Sequence, residues 1–369
     1  MDPTNPIERL ARMLRPAAGG IHTVSTGAAD QRALQRRIYG AATDDDVRPR
    51  WRAALDRLAS AELVILGVPS DVGAGFARGS NFGPQAIRAE LLASESWIYS
   101  DPRVIDLGDV LVVPQLLHDE MLSPAQLRRT RAALHGEAES DADWPVSPLS
   151  VAEAALRTVR ALNPRAVPLV LGGDHSVAWP VVAAVAEGRA SKLGILHFDA
   201  HTDLLAERLG VRFCFATWAY HANELIGRGQ RLHQVGLRIS SKTREHWESS
   251  FGVRQYWMRE MHERPVLEVA AEIVASMRAA GVEGVYVSND IDGTDPAFGH
   301  ATGTPEPGGL HPDDVLTLIR EVTRAFPVWG SDVVEVAPVL GGEHGGEPKI
   351  TLATAARFVE AQARATLDR

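Results

Sequence analysis

The chain has little with which to cross-link itself, enter a membrane or bind a polyanion. It holds one cysteine, Cys214, among 369 residues, so no disulfide can form within it and a reducing, intracellular setting is expected. No apolar run approaches the roughly 20 residues that cross a bilayer. The opening Met-Asp-Pro-Thr-Asn-Pro also lacks the basic and apolar regions of a secretory signal. The expected location is therefore the cytoplasm, with no membrane partner. Basic runs are missing too, and a formal charge of -9 argues against a nucleic-acid partner. Aromatic residues are few, at 6%, so the grouping of Phe213, Phe215 and Trp218 stands out.

What is present suits a soluble domain of substantial size. Apolar residues at 45% and charged residues at 23% fit one large globular unit with extensions. Residues 1–50 mix prolines, a Gly19-Gly20 pair and the run Asp44-Asp45-Asp46, without a strand-like apolar segment. They read as an N-terminal helical arm, with a short helix around Asp30–Tyr39, or else as a partly disordered tail. From 51 to 369 short apolar runs alternate with amphipathic stretches. Expected strands are Leu63–Val68, Val104–Asp106, Val167–Leu171, Leu193–Phe198, Leu232–Leu237, Gly284–Ser288 and Val328–Val336. Expected helices are Pro84–Ala93, Val151–Ala161, Trp179–Glu187, Val266–Ala280, Pro312–Phe326 and Thr351–Leu367. Such alternation predicts an α/β fold, a single-domain doubly wound parallel sheet covered on both faces. Val113 to Leu149 reads as a polar, irregular excursion, least structured at Asp141–Trp144.

Three short clusters carry the chemistry: Gly172-Gly173-Asp174-His175-Ser176, Asp199-Ala200-His201-Thr202-Asp203 and Asp290-Ile291-Asp292. Each follows an expected strand, and in open parallel sheets ligands bind at the carboxyl ends of strands. Side chains alternate along extended backbone, so Asp199, His201 and Asp203 can face one way, as can Asp290 and Asp292. Each piece alone is more often a turn, a helix cap or a solvated loop. Together, two imidazoles and four carboxylates suit a pair of divalent ions such as Mn²⁺, Co²⁺ or Ni²⁺. Bound ions lower the pKa of water, which points to a hydrolase.

The motifs resemble the ureohydrolase family of arginases, agmatinases and related guanidino hydrolases. Gly-Gly-Asp-His-Ser, Asp-Ala-His-Thr-Asp and the segment Ser288–Ala297 carry the resemblance, with Gly303–Gly309 and Val333–Pro338 following in the family's order. It covers roughly residues 60–365. The resemblance implies the arginase-type sheet and two divalent metal ions per chain. His175, Asp199, Asp203 and Asp290 would hold one ion, and Asp199, His201, Asp290 and Asp292 the other. Water activated between the ions would attack the guanidinium carbon, with Asp203 orienting it and passing its proton to the leaving nitrogen. Glu335 matches the glutamate that pairs with the guanidinium, a planar cation that a carboxylate binds bidentately. Asp174 fits an outer partner of the metal site. The family also implies a homo-oligomer, a trimer or hexamer, and accessory proteins that load metal.

Departures from the family bear on the substrate. Phe215 stands where arginases and agmatinases carry a histidine credited with proton relay, and a phenyl ring has no acid–base chemistry. Asp203 would then act alone, or His221 or His311 would enter the site; His221 also reads as a helix-face residue beside Tyr220. Leu204 and Leu205 follow Asp203 where arginases place polar residues for the amino-acid head, which disfavours arginine. Phe215, Thr217 and Trp218 would line a compact pocket, and Phe213 reads as core. Asn289, where an apolar residue is usual, would bond an outer ligand or a buried backbone group. These features resemble a subgroup that hydrolyses free guanidine to urea and ammonium with nickel, manganese being the alternative ion. Other readings are an agmatine, guanidino-acid or biguanide hydrolase, a non-catalytic partner subunit, and a deacetylase on a related fold.

Overall fold

The computed structural model describes residues 5–21, 26–75, 77–342 and 347–368. Residues 1–4 and 22–25 of the expected arm, with most of the opening motif, lie outside the described residues. One nine-stranded sheet organises the chain. Its strands are β1 (Leu14–Arg15), β2 (Leu63–Val68), β3 (Val104–Val110), β4 (Val167–Gly172), β5 (Leu193–Phe198), β6 (Leu232–Leu237), β7 (Arg254–Trp257), β8 (Gly284–Asp290) and β9 (Val328–Val334). They lie in the order β1-β3-β2-β4-β9-β8-β5-β6-β7, and every neighbouring pair is parallel except β1 with β3.

Both faces of the sheet are apolar, which is why its central strands are apolar almost throughout. On β2, Val64, Leu66 and Val68 enter one core while Leu63 and Ile65 enter the other. Helices α1 (Pro6–Met13), α2 (Ala28–Tyr39), α3 (Asp44–Asp56), α4 (Gly83–Ala93), α5 (Pro124–His135), α6 (Pro148–Leu162) and α7 (Ala178–Ala186) precede β5. After it come α8 (Trp218–Leu225), α9 (Arg244–Phe251), α10 (Met258–Met261), α11 (Val266–Ala279), α12 (Pro296–Gly299), α13 (Pro312–Ala325) and α14 (Lys349–Leu367). Leu10 of α1, Trp51 of α3, Ala155 of α6, Val181 of α7 and Trp218 of α8 share the first core. Ile87 of α4, Ile273 of α11, Leu318 of α13 and Phe358 of α14 share the second. A doubly wound α/β sheet is thus what the apolar periodicity predicts.

Four departures are informative. The described part of the arm is folded onto the sheet rather than tail-like: β1 pairs antiparallel with β3, and the Met13 carbonyl accepts from Leu111 N–H at 3.0 Å. Helix α3 starts on Asp44-Asp45-Asp46, with Thr43 and Asp46 capping each other, and it runs across residue 50 without a break. The excursion Val113–Leu149 is less irregular than expected, since Ser123 and Gln126 form a capping box that starts α5. That helix buries none of its residues, so it shows no apolar stripe. Finally, β9 stops at Val334 rather than Val336, because Glu335 takes a left-handed φ of 61°.

Candidate metal centre

β4 and β5 are adjacent in the chain but separated in the sheet by β9 and β8, and the three clusters meet where that crossover opens the carboxyl edge. The turn after β4 needs its glycine. A Cβ on Gly173 would lie 1.7 Å from the Ser70 oxygen, and the Gly173 N–H donates to Val68 at 2.9 Å. Asp174 then accepts from Ser176 N–H at 2.9 Å and Gly73 N–H at 3.0 Å, which fixes the short turn bearing His175. Burial raises the Asp174 carboxyl to about 7.

His175 is held by both ends. Its backbone N–H donates to Glu335 Oε1 at 2.8 Å, and its Nε2 lies 2.9 Å from Ser288 Oγ. The Ser288 hydroxyl donates to Asp332 Oδ1 at 2.9 Å, so it accepts the proton on Nε2. Asp332 also accepts from the Tyr286 hydroxyl. The lone pair of His175 is thereby left on Nδ1, a buried atom without a hydrogen-bond partner among the described residues. It faces Asp290 at 3.0 Å and Asp199 and Asp203 at 3.3 Å each.

A second nest adjoins the first. His201 Nδ1 faces Asp292 Oδ2 at 3.1 Å and Asp199 Oδ1 at 3.3 Å, so Asp199 belongs to both nests. Each carboxylate has its own restraint. Asp199 accepts from His201 N–H at 2.6 Å and lies 2.8 Å from His197 Nε2. Asp203, at a left-handed φ of 50°, accepts from the Trp218 indole at 3.0 Å. Asp290 accepts from Asp292 N–H at 2.8 Å, while Asp292 accepts from Ala200 N–H at 3.1 Å and the Thr304 hydroxyl at 2.9 Å. Arg238 meets no carboxylate here; it donates to the carbonyls of Asp292 and Glu306 and so ties the Thr304 loop to the ligand turn.

The electrostatics show a site short of positive charge. Burial raises the carboxyls of Asp203 and Asp290 well above their usual range, and repulsion from Asp199 adds to both. Glu335 is raised by burial and then by Asp290. Asp199 is held low despite its burial, because the imidazoles of His175, His197 and His201 lie against it. His201 is pushed up to about 12: burial opposes this, but Asp292 and Asp199 outweigh it. Among the described residues no lysine or arginine pairs with these carboxylates. Six candidate ligands, with the Nδ1 atoms of His175 and His201 each facing more than one carboxylate, fit two divalent cations, which would supply the positive charge and lower the pKa of water.

The other expected residues fall in different places. Phe215 is half-buried; its N–H donates to Gly73 at 3.1 Å, Gly75 packs on its ring, and Arg208 stacks over it at 4.8 Å. Trp218 is not a pocket wall. It is fully buried, stacks 4.6 Å from His175 and holds Asp203. Thr217 is buried as well, its hydroxyl bonded to the backbone of Cys214. An aromatic or hydroxyl type alone does not tell which neighbours it will meet. Phe213 is core, stacked 5.3 Å from Trp179. His221 packs on Phe213 and Tyr220, and His311 caps α13, so neither contacts the six ligands. Asn289 makes neither expected bond; it lies fully buried on the face opposite Ser288 and Asp290, with no side-chain partner among the described residues. His197, Asp332, Thr304 and Arg238 escaped the sequence reading. Only His197 left a signal, two residues before Asp199 on the same strand face.

Comparison with known proteins agrees with this geometry. Residues 61–363 match the arginase family model. The mitochondrial arginase 1 of Arabidopsis thaliana is 34% identical over 301 residues, 79% of each chain. The mitochondrial guanidino acid hydrolase of Homo sapiens is 31% identical, with 75% of this chain and 72% of that one covered. The solved proclavaminate amidino hydrolase from Streptomyces clavuligerus superposes with a TM-score of 0.63 at 29% identity, covering 83% of this chain and 93% of that one. A match over most of the chain, on a sheet whose strand ends gather two imidazoles and four carboxylates, places this protein in the arginase family.

Proposed function

We propose that this ureohydrolase acts on free guanidine, with water attacking the guanidinium carbon to give urea and ammonium. The carrying observation is what surrounds the nests. Glu335, whose Oε1 accepts from the His175 backbone N–H, is the carboxylate that would pair with a guanidinium. After Asp203 come Leu204, which is buried, and Leu205, with no charged or amide group for an amino-acid head. Asp203, held by Trp218, would take the proton from water and return it to the leaving nitrogen, so guanidinium and water balance urea and ammonium. Nickel is the proposed ion and manganese the alternative. A cytoplasmic homo-oligomer of three or six copies, loaded by accessory proteins, completes the reading.

One observation favours a second substrate class. A cavity of about 430 Å³ lies beside Phe215, lined by Val72, Leu116, Leu117, His118 and Cys214. It has room for the tail of a longer guanidino compound, such as agmatine, a guanidino acid or a biguanide. The deciding experiment measures urea release from guanidine, methylguanidine, agmatine, 4-guanidinobutyrate, arginine and metformin, with Ni²⁺ and Mn²⁺ loaded separately. Turnover of guanidine above all others supports the proposal. Turnover of agmatine or guanidinobutyrate with guanidine untouched overturns it.

A further inference from the structure

Three polar side chains interrupt the apolar interior of three neighbouring strands, and the proposed reaction uses none of them. His197, Gln234 and Gln255 are each fully buried. They stand in register, His197 beside Gln234 across β5 and β6, and Gln234 beside Gln255 across β6 and β7. Residues in register on parallel strands point to the same face, so the three make one row through the sheet. The row begins at Trp257, on the outermost strand, and ends at Asp199, the carboxylate common to both nests.

The row has a direction, and the indole sets it. An indole N–H can only donate, and Trp257 Nε1 lies 3.0 Å from Gln255 Oε1. Gln255 must then turn its amide nitrogen to Gln234 Oε1, 2.9 Å away. Gln234 in turn presents its nitrogen to His197 Nδ1 at 3.0 Å and to the Thr202 carbonyl at 2.6 Å, using both N–H groups. His197 Nδ1 is thereby an acceptor. Its proton sits on Nε2 and points at Asp199 Oδ2, 2.8 Å away. Apolar residues of similar size would fill the same volume without any risk of an unpaired buried dipole.

We propose that Trp257, Gln255, Gln234 and His197 form a one-way donor chain that fixes the tautomer of His197 and thereby the orientation of Asp199. These four are positioning residues that act through Asp199, and the proposal rests on the metal reading of the site. The second N–H of Gln234 extends the hold to Thr202, between His201 and Asp203. Partners of this kind behind a metal ligand are commonly worth about ten- to a hundredfold in metal affinity.

Gln255→Glu tests the direction. A carboxylate at 255 still accepts from Trp257 but cannot donate to Gln234. Gln234 would flip, giving up its bond to the Thr202 carbonyl, and turn its oxygen to His197, whose proton would move to Nδ1 and leave a lone pair facing Asp199. The measurement is a long-range ¹H–¹⁵N correlation spectrum of the full chain, ¹⁵N-labelled at histidine and stripped of metal, with His197 assigned by His197→Gln. Competition with a chelator gives the Mn²⁺ affinity of the same samples. The expected result is Nε2–H in the wild type, Nδ1–H in Gln255→Glu, and Mn²⁺ binding about ten- to a hundredfold weaker in the variant. Should Gln255→Glu fail to fold, Trp257→Phe removes the first donor, and its His197 should show both tautomers. A wild type with Nδ1–H, or variants that keep a single Nε2–H tautomer, would overturn the chain. If instead the metal reading is at fault, the wild type binds no Mn²⁺ while the tautomer still switches.

Discussion

Asp106 and Asp109, near the β3 edge, and Asp199, Asp203, Asp290 and Asp292, at the centre, are all buried carboxylates on one sheet, yet they are neutralised differently. At the edge Arg88 donates to Asp106 at 2.8 and 2.9 Å and to Asp109 at 2.5 Å, and its guanidinium is completely buried. The chain supplies its own cation there, and the knot is closed. At the centre, among the described residues, the only bases facing the carboxylates are imidazoles, since Arg238 bonds backbone carbonyls, and carboxyls are pushed up by burial and by one another. Carboxylates balanced from within hold a fold together, whereas carboxylates left short of charge are arranged for a cation from outside.

Four experiments would break or sharpen that contrast. The largest effect is expected for Asp199→Asn, which removes the carboxylate shared by both nests. Metal analysis should find the ions lost, and urea release should fall by roughly three orders of magnitude or more, since bound ions contribute several kcal/mol to such reactions. Arg88→Met should act the opposite way. It leaves Asp106 and Asp109 buried without their cation, so chemical denaturation should report a loss of about 3–5 kcal/mol. The fraction that stays folded should keep its ions.

Chelation should separate the two knots without mutation. Against Mn²⁺ at a hundredfold above its dissociation constant, metal removal should lower stability by about 2.7 kcal/mol for each site emptied, and Arg88→Met should show the same decrement. The smallest effect per pH unit concerns His233, buried on β6 away from both carboxylate groups, with Arg254 as its neighbour on β7. Burial lowers its folded value to about 4, below the ordinary value of 6.5. The unfolded chain then binds the proton more readily, so this stability is present above pH 6.5 and is lost as pH falls towards 4. Denaturation midpoints over that window should fall by at most about 1.4 kcal/mol per pH unit from this group. His233→Gln should flatten that part of the slope.

The contrast also explains what was legible in the sequence. Central strands such as Leu63–Val68 and Leu193–Phe198 are buried on both faces, so composition alone marks them. β1, of two residues, and β7, whose Arg254 and Gln255 are polar, carry no such mark. The six candidate ligands could be read as a group because three such clusters, each commonplace alone, all follow strands of one sheet. Trp218 and Thr217 could not be placed that way. Their setting depends on packing between the loop after β5 and the turn after β4, which are distant in sequence. Gln234 and Gln255 look like stray amides until the register puts them in line with His197.

β1 carries one more consequence. By pairing Leu14 with Val110 and Arg15 with Asp109, it covers the flank of β3. Leu10, Met13 and Leu14 meanwhile seal the apolar strip beside it. A version trimmed of its first twenty residues would present unpaired strand donors next to bare hydrocarbon, the combination through which separate copies stick to each other. Work on the catalyst would then be limited by solubility before chemistry could be measured. The arm is better kept whole in any shortened form of this protein.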